Sequence, residues 1–79
     1  MSSSETGVKY PECEVVLTGI DANAVAIFMK VRKKLIRHLE AQGWDHQRAV
    51  EEGDAFQAEA TSGDYDHVIA TCLRWVTVL

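Results

Sequence analysis

No apolar run in this 79-residue chain approaches the roughly 20 residues that a membrane-spanning helix requires. The N-terminus has no apolar signal core, so secretion is not expected. Only two cysteines are present, Cys13 and Cys72, far apart and with no CxxC or Cys/His cluster. Both lie in apolar runs, the pattern of buried thiols in a reducing cytoplasm; the alternative, a Cys13–Cys72 bridge, is disfavoured in that compartment. The five glycines are scattered, which leaves no phosphate-cradling loop, and no HxxxH or HExxH spacing exists for a metal. A nucleophile turn with a Ser-His-Asp set is also missing. An enzyme is therefore not expected, and neither is a cofactor or a bound metal.

What is present fits one small globular domain, at 47% hydrophobic and 25% charged residues. A domain of this size buries only about 60% of the surface its unfolded chain exposes. Met1 to about Tyr10 lacks periodicity and is expected to be a disordered tail, with residues 11–79 forming the domain. The single proline, Pro11, suits the first residue or the edge of a strand. Alternation after it puts Cys13, Val15 and Leu17 on one face and Glu12, Glu14, Val16 and Thr18 on the other.

Gly19-Ile20-Asp21 then turns the chain into a long helix with Asp21 as its N-cap. Ala24, Ile27, Phe28, Val31, Leu35 and Leu39 form its apolar stripe, and Gly43 ends it. Asp45 can cap a second helix with Ala49, Val50, Phe56 and Ala60 inward. Gly53 costs this helix about 1 kcal/mol, so the segment is either continuous or split, with Asp54 capping a second piece. Asp64 or Ser62 caps a third helix whose stripe is Tyr65, Val68, Ile69, Cys72 and Trp75 or Val76. The tail Trp75-Val76-Thr77-Val78-Leu79 is β-branched and alternating, which favours a final strand over further helix; if it stays helical the order is β-α-α-α. The expected fold is α+β and helix-dominated, in the order β-α-α-α-β with a minimal two-stranded sheet. Such a sheet has two open edges, which invites a homodimer with a shared sheet.

Asp21-Ala22-Asn23-Ala24, the junction Glu59-Ala60-Thr61-Ser62-Gly63-Asp64-Tyr65-Asp66-His67, and Arg74-Trp75-Val76 together resemble a family of short bacterial and phage-associated proteins. In that family the helix start reads Gly-x-Asp-Gly-Asn-Ala and the junction continues into two leucines. The resemblance spans roughly residues 13–76. This chain departs from it at Ala22, where the family has glycine, and at Val68-Ile69. It implies a bacterial cytoplasmic protein associated with mobile elements, and it brings no functional residues.

The chemistry-bearing side chains have ordinary readings beside functional ones. His38, His46 and His67 with Asp45, Asp54, Asp64 and Asp66 are a metal set only if three or four converge. Glu59, Asp64 and Asp66 form an acidic corner, but exposed carboxylates at a helix start stay ionised and make poor acid–base pairs. Trp75 and Tyr65 read as core, whereas Trp44 is divided between core and interface.

The net charge of −4 is polarised. Residues 22–42 hold five cations against one acid, Glu40, while the rest of the chain holds three cations against eleven acids. Lys30, Lys33, Lys34 and Arg37 fall within about 100° of one helix face. This face, with Trp44, is the expected partner-binding site of a small adaptor that meets an acidic protein surface. The alternatives are a nucleic-acid module using the same face and a phage or mobile-element inhibitor using the acidic surface.

Overall fold

The computed structural model describes residues 7–17 and 23–79. Strand β1 (Tyr10–Val15) buries Cys13 and Val15 and exposes Glu12 and Glu14, as its alternation requires. It begins one residue inside the expected tail: Tyr10 opens the strand, and residues 1–6 lie outside the described residues. Val16 and Leu17 follow it, exposed and half-buried respectively. The turn expected at Gly19-Ile20-Asp21 also lies outside the described residues.

Helix α1 (Ala24–Ala41) is capped by Asn23, whose side chain accepts the Val25 N–H at 2.8 Å. The cap therefore sits two residues later than Asp21, where it was expected, and Asp21 itself is not among the described residues. Ile27, Phe28, Val31, Leu35 and Leu39 are buried. At the other end Gly43 takes φ +98°, and two reversed bonds close the helix, Gly43 N–H to the Glu40 carbonyl and Trp44 N–H to that of Leu39. Glycine reaches this left-handed conformation without a Cβ penalty.

Helix α2 (His46–Ala60) is continuous through Gly53. Ala49, Gly53, Phe56 and Ala60 form its buried stripe. A Cβ at Gly53 would lie 2.9 Å from Ile36 Cδ1 and Cγ1, so glycine is what lets α2 pack closely on α1. Asp54 caps nothing; it pairs with Arg32 instead. Helix α3 (Tyr65–Trp75) starts at Asp64, whose carboxylate accepts the His67 N–H at 3.0 Å. Its buried residues are Val68, Thr71, Cys72 and Trp75. Tyr65, expected in the core, is 45% exposed, because it stands at the first position of α3, where a side chain leans towards the open N-terminal end, beyond the Val68–Cys72–Trp75 stripe.

Val76 leaves α3 directly into strand β2 (Val76–Val78), which pairs parallel with β1. Parallel neighbours need a long crossover, and here all three helices supply it. The register breaks between Tyr10 and Glu14, around Pro11, which has no N–H to give. The Thr77 hydroxyl fills the gap, donating to the Pro11 carbonyl at 2.7 Å. The fold is thus α+β, in the order β-α-α-α-β around one two-stranded sheet.

Trp75 anchors the core. Phe56 meets its ring edge-on at 5.6 Å, and Tyr10 lies 6.1 Å away on the strand side. Lys9 covers it, with its ammonium 4.1 Å from the ring centre, while bonding Glu52 at 3.0 Å. The Tyr10 hydroxyl donates to the same carboxylate at 2.6 Å, so β1 is latched to α2.

Candidate functional site: a basic-rimmed groove on helix α1

The buried stripe fixes the rotation of α1, and its opposite side faces water. Between that side and the start of α2 lies an open groove of about 580 Å³. Met29 and Ile36, two helical turns apart, supply its apolar floor, and Lys30, Lys33 and Arg37 line it. Met29 is 42% exposed, which is a large apolar surface to leave beside three cations. Glu40 and His46 pair with each other at one end of the groove. Arg32 borders it too, but its guanidinium is held by Asp54 at 2.8 Å. The only acid of α1 is therefore engaged, whereas Lys30, Lys33 and Arg37 make no ion pair among the described residues.

Three of the five residues expected to bind a partner thus come together. The other two do not. Lys34 lies in a neighbouring cleft with Glu12, Cys13, Glu14 and His38. Arg37 borders both spaces. Trp44 lines a third cleft with Tyr10, Pro11 and Leu39. It is the residue just beyond the Gly43 cap, and it packs against the core with the Arg48 guanidinium 5.0 Å from its ring. An apolar residue at this position commonly clasps the last turn of the helix, here at Leu39. Met29 and Ile36 were missed in the sequence. Their signal was two apolar residues seven apart on the basic side, off the core stripe.

The junction that carries the family resemblance is a corner made of mutual caps. The Thr61 hydroxyl donates to the Gln57 carbonyl, and the Ser62 hydroxyl to that of Glu59. His67 Nε2 lies 2.8 Å from the Glu59 carbonyl and 3.0 Å from Ser62 Oγ. A carbonyl can only accept, so Nε2 carries the proton and cannot act as a base towards Ser62. Gly63 is required because a Cβ there would sit 2.8 Å from His67 Cβ and Cγ. The Glu59 carboxylate binds Arg74 and accepts the Trp75 indole N–H at 3.2 Å. The Arg74 guanidinium, with the Trp75 bond, holds the Glu59 carboxyl below its usual range although partial burial opposes this. Every polar group of the motif that has a partner here serves the corner between α2 and α3.

The thiols are free and buried. Burial pushes Cys72 up to about 11; it also raises Cys13, against the opposing charge of Lys34. Among the described residues no three His, Cys, Asp or Glu side chains converge as metal ligands, and no helix is long and apolar enough to cross a membrane. Comparison with protein-family models, curated proteins and solved structures yields no match of any of the three kinds.

Proposed function

We propose that this protein is a non-enzymatic binding module whose α1 groove takes an acidic, amphipathic segment of a partner protein. The observation that carries the reading is the pairing of an aliphatic floor, Met29 and Ile36, with the cations Lys30, Lys33 and Arg37, which make no ion pair among the described residues. An apolar anchor supplies most of the affinity at such a site, while the charged rim selects and steers the partner. A helix presenting an apolar residue every three or four positions, flanked by carboxylates, matches both parts.

Nucleic acid fits less well. Single strands are held by aromatic rings on which bases stack, and the floor here is a thioether and an aliphatic chain. An inhibitor presenting an acidic face is weakened by internal pairing, since Glu52 is held by Lys9 and Tyr10 and Glu59 by Arg74. The two free thiols agree with a cytoplasmic setting, and the junction motif with a bacterial one.

The test is selection of a randomised helical peptide library on the immobilised protein, with the Lys30→Glu/Lys33→Glu/Arg37→Glu variant as the counter-target. Enrichment of peptides with carboxylates beside an apolar ridge is expected. Their binding should fall at least tenfold both in the triple variant and in Met29→Asp. Peptides that bind equally well when their sequence is scrambled, or a preference for oligonucleotides over every peptide, overturns the reading.

A further inference from the structure

Two clefts lie side by side along the seam between β1 and α1. One, of about 340 Å³, is lined by Glu12, Cys13, Glu14, Lys34, Arg37 and His38. The other, of about 420 Å³, continues from Glu12 and His38 past Pro11 and Leu39 to Trp44. No residue of β2 lines either one, and α1 packs on β1 whereas α3 packs on β2. The clefts therefore follow the edge of β1 that faces away from β2, with α1 as their far wall. That edge is open. Val15 and Pro11 direct their carbonyls towards β2, accepting from Leu79 N–H and the Thr77 hydroxyl. The N–H and C=O groups of Glu12 and Glu14, on the alternate positions, point outward.

The two faces of this edge differ in charge. Cys13 and Val15 turn towards the core, and the charge of Lys34 acts on the Cys13 thiol, so Lys34 flanks the edge on its helix-facing side. Arg37, one turn further along α1, borders the same cleft. Glu12 and Glu14 take the opposite, exposed face. None of these four side chains makes an ion pair among the described residues. A strand added at this edge alternates as β1 does, so its successive side chains meet carboxylates on one face and cations on the other. A second copy of this chain, brought by a two-fold axis, would set glutamate against glutamate and is disfavoured.

We propose that the open edge of β1 docks an extended segment of a partner protein as a third strand, with basic side chains beside Glu12 and Glu14 and, between them, an acidic one turned towards Lys34 and Arg37. Main-chain bonds to Glu12 and Glu14 hold the segment, and the alternation of charge selects it. Its next helix-facing side chain enters the cleft of Leu39 and Trp44, which takes an apolar group. The added strand also brings the sheet to three strands, the number at which a sheet becomes independently stable. This site is separate from the groove of Met29, Lys30 and Lys33 and does not depend on that groove binding anything; Arg37 borders both.

The probe is the end-blocked peptide Thr-Val-Lys-Asp-Lys-Val-Thr, which reads the same in both directions and so fits either strand sense. Labelled with a fluorophore, it should bind the full chain saturably by anisotropy. The charge-reversed peptide Thr-Val-Glu-Lys-Glu-Val-Thr should bind at least tenfold more weakly. Lys34→Glu should weaken the original probe at least tenfold, and replacing the probe's aspartate by lysine should restore binding to that variant. Amide exchange read by nuclear magnetic resonance reports the main-chain contact: the Glu12 and Glu14 N–H groups should exchange freely in the protein alone and at least tenfold more slowly when the probe is saturating. Absence of saturable binding overturns the proposal, as does equal affinity for the charge-reversed peptide. Unchanged exchange at Glu12 and Glu14 in the saturated complex, or a loss on Lys33→Glu as large as on Lys34→Glu, places the peptide elsewhere and overturns it too. So does protection of these two amides in the protein alone at any concentration, because the edge is then already covered by this chain or its copy.

Discussion

At the scale of single residues, Gly53 shows how a helix-breaking residue can be required inside a helix. Propensity alone counts it as a loss of about 1 kcal/mol, and so the sequence left α2 divided between one helix and two. What decides the matter is Ile36 on another element, 2.9 Å from where a Cβ would stand. Such a contact has no trace in the local pattern. Gly53→Ala should destabilise the protein by about 1 kcal/mol, because crowding of about 1–3 kcal/mol outweighs the gain in propensity. In an Ile36→Ala background the same change should become neutral or stabilising, which a urea-unfolding cycle of the four proteins measures. The cysteines were legible, since each sat on a periodic apolar face, and both are buried and free. With Cys72 raised to about 11 and 1% exposed, the thiols should resist Ellman's reagent at pH 8 and react within the mixing time only in denaturant. Rapid labelling of native protein contradicts this. Trp44 was ambiguous in sequence because a clasp at a helix end and an interface anchor call for the same side chain.

At the scale of elements, order and type were readable because each helix has a period-3.6 stripe and β1 an alternating one. The parallel sense of the sheet was not, since it depends on where three helices return the chain. The cap of α1 was placed at Asp21 because aspartate and asparagine compete for the same role, and Asn23 holds it. The junction between α2 and α3 was recognisable as a motif but not as a corner. Its polar residues look like chemistry in one dimension and turn out to bond one another. Glu59 makes that corner sensitive to acid. Its folded pKa lies below the ordinary 4.5, held there by Arg74 and the Trp75 indole. Its contribution is therefore fully present above about pH 4.5 and is lost as the pH falls through the folded value. Urea midpoints of wild type and Glu59→Gln, followed from pH 7 downwards, should differ at neutral pH and converge in acid. A constant difference would show that the ionised carboxylate is not what matters.

At the scale of the whole molecule, charge polarity was legible from composition, but its use was not. The five cations of α1 resolve into one paired with Asp54, one in the cleft that Glu12 and Glu14 line, and three around an apolar floor. The placement of α2 on one side of α1 and of β1 on another makes that separation. Reversing Lys30, Lys33 and Arg37 should leave the unfolding free energy within about 0.5 kcal/mol of wild type, since exposed charges without partners contribute little to stability. A large loss in thermal or urea unfolding would make these side chains structural. The pairing of the first strand with the last has a mechanical consequence. Tension applied at Tyr10 and at Leu79 draws two parallel neighbours past each other along their length. The Lys9–Arg74, Pro11–Thr77 and Val15–Leu79 bonds are then loaded together rather than opened one at a time. Along that axis the domain resists as a clamp in shear, and it yields only when the whole seam fails at once.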